Sequence, residues 1–143
     1  MTIKQQCIFC KIIKNEIPVI KVYETSKNLA FLDINPLTIG HSLIIPKKHA
    51  ENIFDISPDD FKALMIDAQK LAKILKISLK AQGINLINSS GEIAGQSVFH
   101  FHFHLIPRYK NDKLEFSDWW NKKTKKINNQ ELFKIAQKIT KNK

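Results

Sequence analysis

The chain has little of what several functional classes require. It has two cysteines in 143 residues, too few for the disulfide framework of a small secreted domain. It has one arginine, Arg108, although 23 lysines and arginines face only 13 acids and the formal charge is +10. Proteins that read duplex DNA usually use arginine at base edges and phosphates. The charge therefore argues for a solvated lysine-rich surface rather than for nucleic acid. No apolar run approaches the roughly 18 residues that would span a bilayer, so no membrane partner is expected. The first residues, MTIKQQCIFC, lack the apolar core of a signal peptide, and we expect a cytoplasmic protein. Acids are nearly missing from the tail: between Lys122 and Lys143, Glu131 stands alone.

What is present fits one soluble domain. Hydrophobic content is 43% and charged content 25%. Cys7 to Asn15 is a short amphipathic stretch that Pro18 should stop. Ile20–Tyr23, Leu29–Asp33 and Ser42–Ile45 read as strands with short connections, which favours antiparallel neighbours. Ser57, Pro58, Asp59 and Asp60 announce a helix start, and apolar residues then recur at helical spacing from Phe61 to Leu79. Gly83 should end that helix. Ile84–Asn88 is strand-like, a Gly/Ser loop runs from Ser89 to Gly95, and Asn129–Thr140 forms a last helix. The expected fold is α+β: an antiparallel sheet of about five strands with a long helix on one face. We expect a core over 1–110, with a lysine-rich, partly helical extension over 111–143 belonging to the same domain. Trp119 and Trp120 are expected to pack or dock there rather than to touch a substrate.

The densest chemistry lies in GQSVFHFHFHLIPRY, Gly95 to Tyr109, which holds three of the chain's five histidines. Side chains alternate along a strand. His100, His102 and His104 should share one face, and Phe99, Phe101, Phe103 and Leu105 should pack beneath the long helix on the other. Incidental surface polarity usually explains a lone histidine, but it explains poorly three alternating ones in a chain with only five. A metal site is a second reading, but no acid lies nearby in sequence. Phosphate chemistry is the third, with one imidazole attacking phosphorus. The preceding Gly95, Gln96 and Ser97 favour it, because a glycine lets backbone approach an anion and fixed donors stabilise phosphoryl charge. Cys7 and Cys10 form Cys-x-x-Cys, read as a redox pair, half of a metal site, or two small hydrophobes. The strand that precedes a thioredoxin-like redox pair is missing.

HFHFHLI, with CIFCKIIKNEIP, VYE, AFLDINP, GHSLIIPKKH and the AGQSV loop, resembles the histidine triad (HIT) nucleotide-binding hydrolases, in particular their Hint-like prokaryotic branch. The resemblance covers about Cys7 to Arg108 and leaves the tail uncovered. It implies a homodimer that cleaves purine nucleoside 5'-monophosphate derivatives, phosphoramidates or dinucleoside polyphosphates, through a covalent nucleotidyl-histidine. In that reading His102 is the nucleophile, and its other nitrogen bonds the carbonyl of His100. His104 and His41 flank the phosphate, and Ser97 and Gln96 contact phosphate and leaving group beside Gly95. Asp33 holds the ribose. Ile8, Phe9, Ile12, Phe31 and Ile34 wall the base, and Asn88 lines the cleft. A histidine at 104, where the transferase branch has glutamine, favours hydrolysis. The resemblance further implies a structural zinc on Cys7, Cys10, His49 and His100, and no organic cofactor. The rival expectations are a non-catalytic nucleotide- or partner-binding module and a metal-dependent enzyme.

Overall fold

The computed structural model describes residues 7–115 and 127–141. Trp119 and Trp120 lie outside the described residues. The chain forms two compact units, Met1–Asp112 and Lys113–Lys143.

The first unit contains helix α1 (Ile8–Ile13), strands β1 (Lys21–Glu24), β2 (Asn28–Leu32) and β3 (Ser42–Pro46), the long helix α2 (Pro58–Ser78), β4 (Gly83–Ile87), a 3₁₀ turn (Glu92–Ala94) and β5 (Phe103–Arg108). The strands form one sheet in the order β1-β2-β3-β5-β4, with every pair antiparallel. β5 is therefore interior, between β3 and β4, and β4 is an edge. The second unit contains α3 (Asn129–Thr140), opened by a capping box between Asn128 and Glu131. Among the described residues no helix is long and apolar enough to cross a membrane.

Strand alternation divides the core in two. On one face, Ala30, Ile44, Phe103 and Leu105 join Phe101 and the buried stripe of α2: Leu64, Ala68, Leu71 and Leu75. Each fully buried leucine contributes about 1.5–3 kcal/mol relative to exposure. On the other face, Leu29, Phe31, Leu43 and Ile45 meet Phe9 and Ile12 of α1. The histidines lie on this second face, so α1 is the element that reaches them. α2 starts as its residues predict: Ser57 Oγ accepts from Asp60 N–H at 3.2 Å, and Pro58 is the first helical residue.

Four local expectations are corrected. α1 ends at Ile13 and Asn15 takes a left-handed φ of 59°, before Pro18 is reached. α2 ends at Ser78, and Lys80 supplies the left-handed residue (φ 54°); Gly83 instead opens β4. Phe99 is 42% exposed and does not join the other phenylalanines under α2. The histidine segment is also not one strand. β5 begins at Phe103, so only His104 of the three lies in it. His100 and His102 precede it, in a stretch whose backbone partly bonds elsewhere: Phe101 N–H donates to Ala50 O at 2.7 Å.

Candidate active site and metal-binding cluster

His102 sits where β5 begins and is 5% exposed. Its ring packs edge-on against Phe9 at 5.4 Å and His104 at 5.1 Å, so its neighbours are aromatic. Nδ1 lies 2.7 Å from the carbonyl of His100. A carbonyl only accepts, so Nδ1 carries the proton and Nε2 keeps its lone pair. Burial lowers the His102 pKa, against the opposing effects of that hydrogen bond and the Asp33 charge. The ring is thus held neutral and in one tautomer. Asn88 Nδ2 donates to the His102 carbonyl at 2.8 Å, on the backbone side.

His41, His104 and Asp33 form a second group on the same face. Leu37 N–H donates to His41 Nδ1 at 3.1 Å. Neutral His41 then carries its proton on Nε2, which lies 2.9 Å from His104 Nδ1 and 3.6 Å from Asp33 Oδ2. His104 is thereby left with an N–H on its remaining nitrogen. Burial lowers the His41 pKa against the pull of Asp33. It also lowers that of His104, to about 4, with His102 and His41 acting in the same direction. Asp33 follows β2. Its Oδ1 accepts from Asn35 N–H at 2.8 Å in a tight turn, and its Oδ2 faces the histidines. Three ligand-type side chains meet here. An ion on His41 Nε2 would nevertheless require that ring to lose its second proton while Leu37 still feeds Nδ1. The group is a donor chain rather than a cage.

The third group is Cys7, Cys10, His49 and His100. His100 Nε2 lies 2.8 Å from Pro46 O, so Nε2 carries the proton and Nδ1 offers a lone pair. That Nδ1 lies 3.5 Å from Cys7 Sγ, 3.6 Å from Cys10 Sγ and 3.2 Å from His49 Nδ1. Cys10 Sγ is 3.3 Å from His49 Nδ1. A tetrahedral thiolate–imidazole site with bonds of about 2.3 and 2.0–2.1 Å has S–N edges near ~3.6 Å and N–N edges near ~3.3 Å. The donor set fits. Burial, assisted by His49 and His102, brings the His100 pKa down to about 4, against the bond to Pro46. Loss of the proton is what a metal ligand needs.

The remaining expected residues are distributed as follows. Phe9 and Phe31 are buried and meet edge-on at 5.7 Å. Ile12 is buried in the same cluster. Ile8 is 45% and Ile34 88% exposed. Ser97 is exposed. Gln96 is buried and engaged at both ends of its amide: Nε2 donates to Glu51 O and Val98 O, and Oε1 accepts from Gly91 N–H. The N–H groups of Gly95 and Gln96 bond within the loop, to Glu92 O and Gly91 O. Gln96 and these two amides therefore brace the loop. Sequence reasoning missed Leu37, which acts through its backbone and carries no residue signal. It also missed Ser90, which bonds Asn88 Oδ1 at 2.8 Å from within a generic Gly/Ser loop.

A family profile described as HIT domain matches residues 14–111. The chain belongs to the HIT family. Adenosine 5'-monophosphoramidase HNT1 of Saccharomyces cerevisiae is 50% identical over 107 residues, 75% of this chain and 65% of that protein. A crystal structure from Streptococcus mutans UA159 aligns with a TM-score of 0.88 at 39% identity, over 96% of this chain and 85% of that one. A Zn-bound histidine triad family protein from Mycobacterium smegmatis aligns with a TM-score of 0.75 at 38% identity, over 79% and 82% of the two chains.

Proposed function

We propose that this HIT protein hydrolyses purine nucleoside 5'-monophosphate derivatives, phosphoramidates or dinucleoside polyphosphates, through a nucleotidyl-His102 intermediate. The observation that carries the reading is the 2.7 Å bond from His102 Nδ1–H to His100 O, which leaves Nε2 as the nucleophilic lone pair. In the first step the Nε2–P bond forms and the bond from phosphorus to the leaving group breaks. The leaving group departs with the bonding pair and takes a proton from solvent. His102 becomes cationic, and the His100 carbonyl stabilises that charge. Water then attacks phosphorus, releases the monophosphate, returns the pair to Nε2 and gives its proton to solvent.

The other roles follow from position. The His104 N–H, oriented by His41, binds a phosphoryl oxygen together with Ser97. Asp33 Oδ2 binds the ribose. Phe9 and Phe31 form the floor of the base site, and the exposed Ile8 and Ile34 supply apolar surface that a base can cover. Gly95, Gln96 and Asn88 hold the surrounding loops in place. We assign zinc to Cys7, Cys10, His49 and His100: four protein ligands make a closed, structural site that would tie α1 to the segment carrying His102. Similarity to a zinc-bound neighbour supports this ion. A homodimer is supported by the edge position of β4, beside which Leu86 of the strand and Ile66 of α2 remain exposed.

The deciding experiment is mass spectrometry after mixing with adenosine 5'-phosphoramidate. One AMP should add to His102, and His102→Ala should lose both the adduct and turnover, by about 10⁴-fold or more. Turnover by His102→Ala at the wild-type rate would sink the mechanism.

A further inference from the structure

We infer that Ser90 is a positioning residue for His102, acting through the amide of Asn88; the inference rests on the phosphoryl-transfer reading and deepens it. The β4–β5 ladder ends at the pair Ile87↔His104. His102 lies two residues beyond it, so no strand partner is paired with its backbone there. Asn88, the residue after β4, takes over with its side chain: Nδ2 donates to His102 O at 2.8 Å. The carbonyl of the nucleophile is thus held by the Asn88 amide.

That amide has two orientations of nearly equal shape. Only one presents a donor to His102; the other sets Oδ1 against the His102 carbonyl. The His102 carbonyl only accepts and so selects the Nδ2 end, and Ser90 holds the Oδ1 end in place. Ile53 N–H can only donate, and it donates to Ser90 Oγ at 3.1 Å. The Ser90 hydroxyl donates in turn to Asn88 Oδ1, 2.8 Å away. With Oδ1 occupied by a donor, Nδ2 must face His102. The chain of donors runs one way, from Ile53 N–H through Ser90 and Asn88 to His102 O. Its starting point is itself fixed, because Phe54 N–H donates to Asn52 Oδ1 and Glu51 N–H to Asp55 Oδ2. Ser90 touches neither the ring of His102 nor any group assigned to phosphate, ribose or base. Its effect belongs to the rate of attack rather than to nucleotide affinity.

The test is a single-turnover measurement of nucleotidyl-His102 formation from adenosine 5'-phosphoramidate, with AMP affinity measured in parallel. Ser90→Ala should slow adduct formation about five- to tenfold, the loss of one part-buried hydrogen bond, and leave AMP affinity unchanged. Ser90→Thr keeps the hydroxyl and should restore the rate. In an Asn88→Ala background, Ser90→Ala should have no further effect. In the resting protein, the Asn88 side-chain NH₂ resonances should shift in Ser90→Ala and return in Ser90→Thr. Ser90→Cys, a weaker donor of similar size, should give an intermediate rate and carries the comparison if Ser90→Ala does not fold. A wild-type rate in Ser90→Ala, unchanged Asn88 resonances, or additive losses in the double variant would overturn the inference. If wild type forms no adduct, the phosphoryl-transfer reading fails, and the Asn88 resonances still decide the role of Ser90.

Discussion

Two groups of ligand-type side chains lie on the same face of the sheet, on either side of His102, and they have opposite hydrogen accounts. At Cys7, Cys10, His49 and His100, lone pairs converge: the His100 proton is used on Pro46 O, and Nδ1 is aimed at two sulfurs and a second ring nitrogen. At Asp33, His41 and His104, protons are passed along: Leu37 N–H feeds His41, and His41 Nε2–H feeds His104. The residue types are similar, and the spacing of the donor atoms is similar. The first group has two thiols where the second has one carboxylate, and in the second a backbone N–H occupies the His41 lone pair and turns the proton of that ring toward His104. Phe9 connects the first group to His102, since its ring touches both His100 and His102 and its helix carries Cys10.

The comparison can be broken most forcefully at the first group. Cys10→Ser should abolish zinc, measured by elemental analysis after purification without added metal, where wild type should hold about one ion per chain. It should also lower the thermal midpoint by about 10 °C, the equivalent of roughly 3 kcal/mol for a domain of this size. Zinc retained at the wild-type level in Cys10→Ser would remove the cage from the account. The second group should respond in the opposite sense. His41→Ala should keep its zinc and most of its stability but lose about 10²-fold in kcat, because the tautomer of His104 is no longer dictated. Loss of zinc from His41→Ala would show that the two groups are not separable.

A third polar cluster sharpens the contrast with a smaller effect. Asp67 lies on the buried side of α2 and accepts from Asn28 Nδ2 at 2.8 Å, Thr25 Oγ1 at 2.9 Å and Tyr23 OH at 3.1 Å. Burial alone would raise its pKa, but these donors together hold it below the ordinary carboxylate value. A carboxyl lowered in the folded state stabilises fully above its unfolded pKa, about 3.9, and that contribution fades as pH falls through the folded value. Urea midpoints followed downward from pH 5 should therefore fall less steeply in Asp67→Asn than in wild type. Equal slopes would mean that the carboxyl titrates alike in both states.

Much of the architecture was legible because local physics encodes it. Ser57-Pro58-Asp59-Asp60 specifies the start of α2 by hydrogen bonding and dipole, and the structure follows it. Alternation placed Phe101, Phe103 and Leu105 under α2. It failed for Phe99 and for the extent of the strand, because the backbone before Phe103 bonds to Ala50 and Val98 rather than to a neighbouring strand. Gly83 misled because Lys80 adopted the left-handed turn that glycine usually takes. At the site, the histidines and cysteines announced themselves by rarity and spacing. Gln96 was visible as a polar residue, but its use in bracing the loop against Glu51 was not, since Glu51 is 45 positions away.

By itself the sequence determined the order of elements, the residues that could perform the chemistry, and the side of the sheet on which the triad would lie. Those follow from spacing and from side-chain type, which are local. Only the tertiary structure decided which nitrogen of each histidine holds a proton. That depends on a single backbone group brought in by folding: Pro46 O for His100, His100 O for His102, and Leu37 N–H for His41 and, through it, His104. An imidazole can serve as ligand, nucleophile or donor, and its hydrogen-bond partner selects the role.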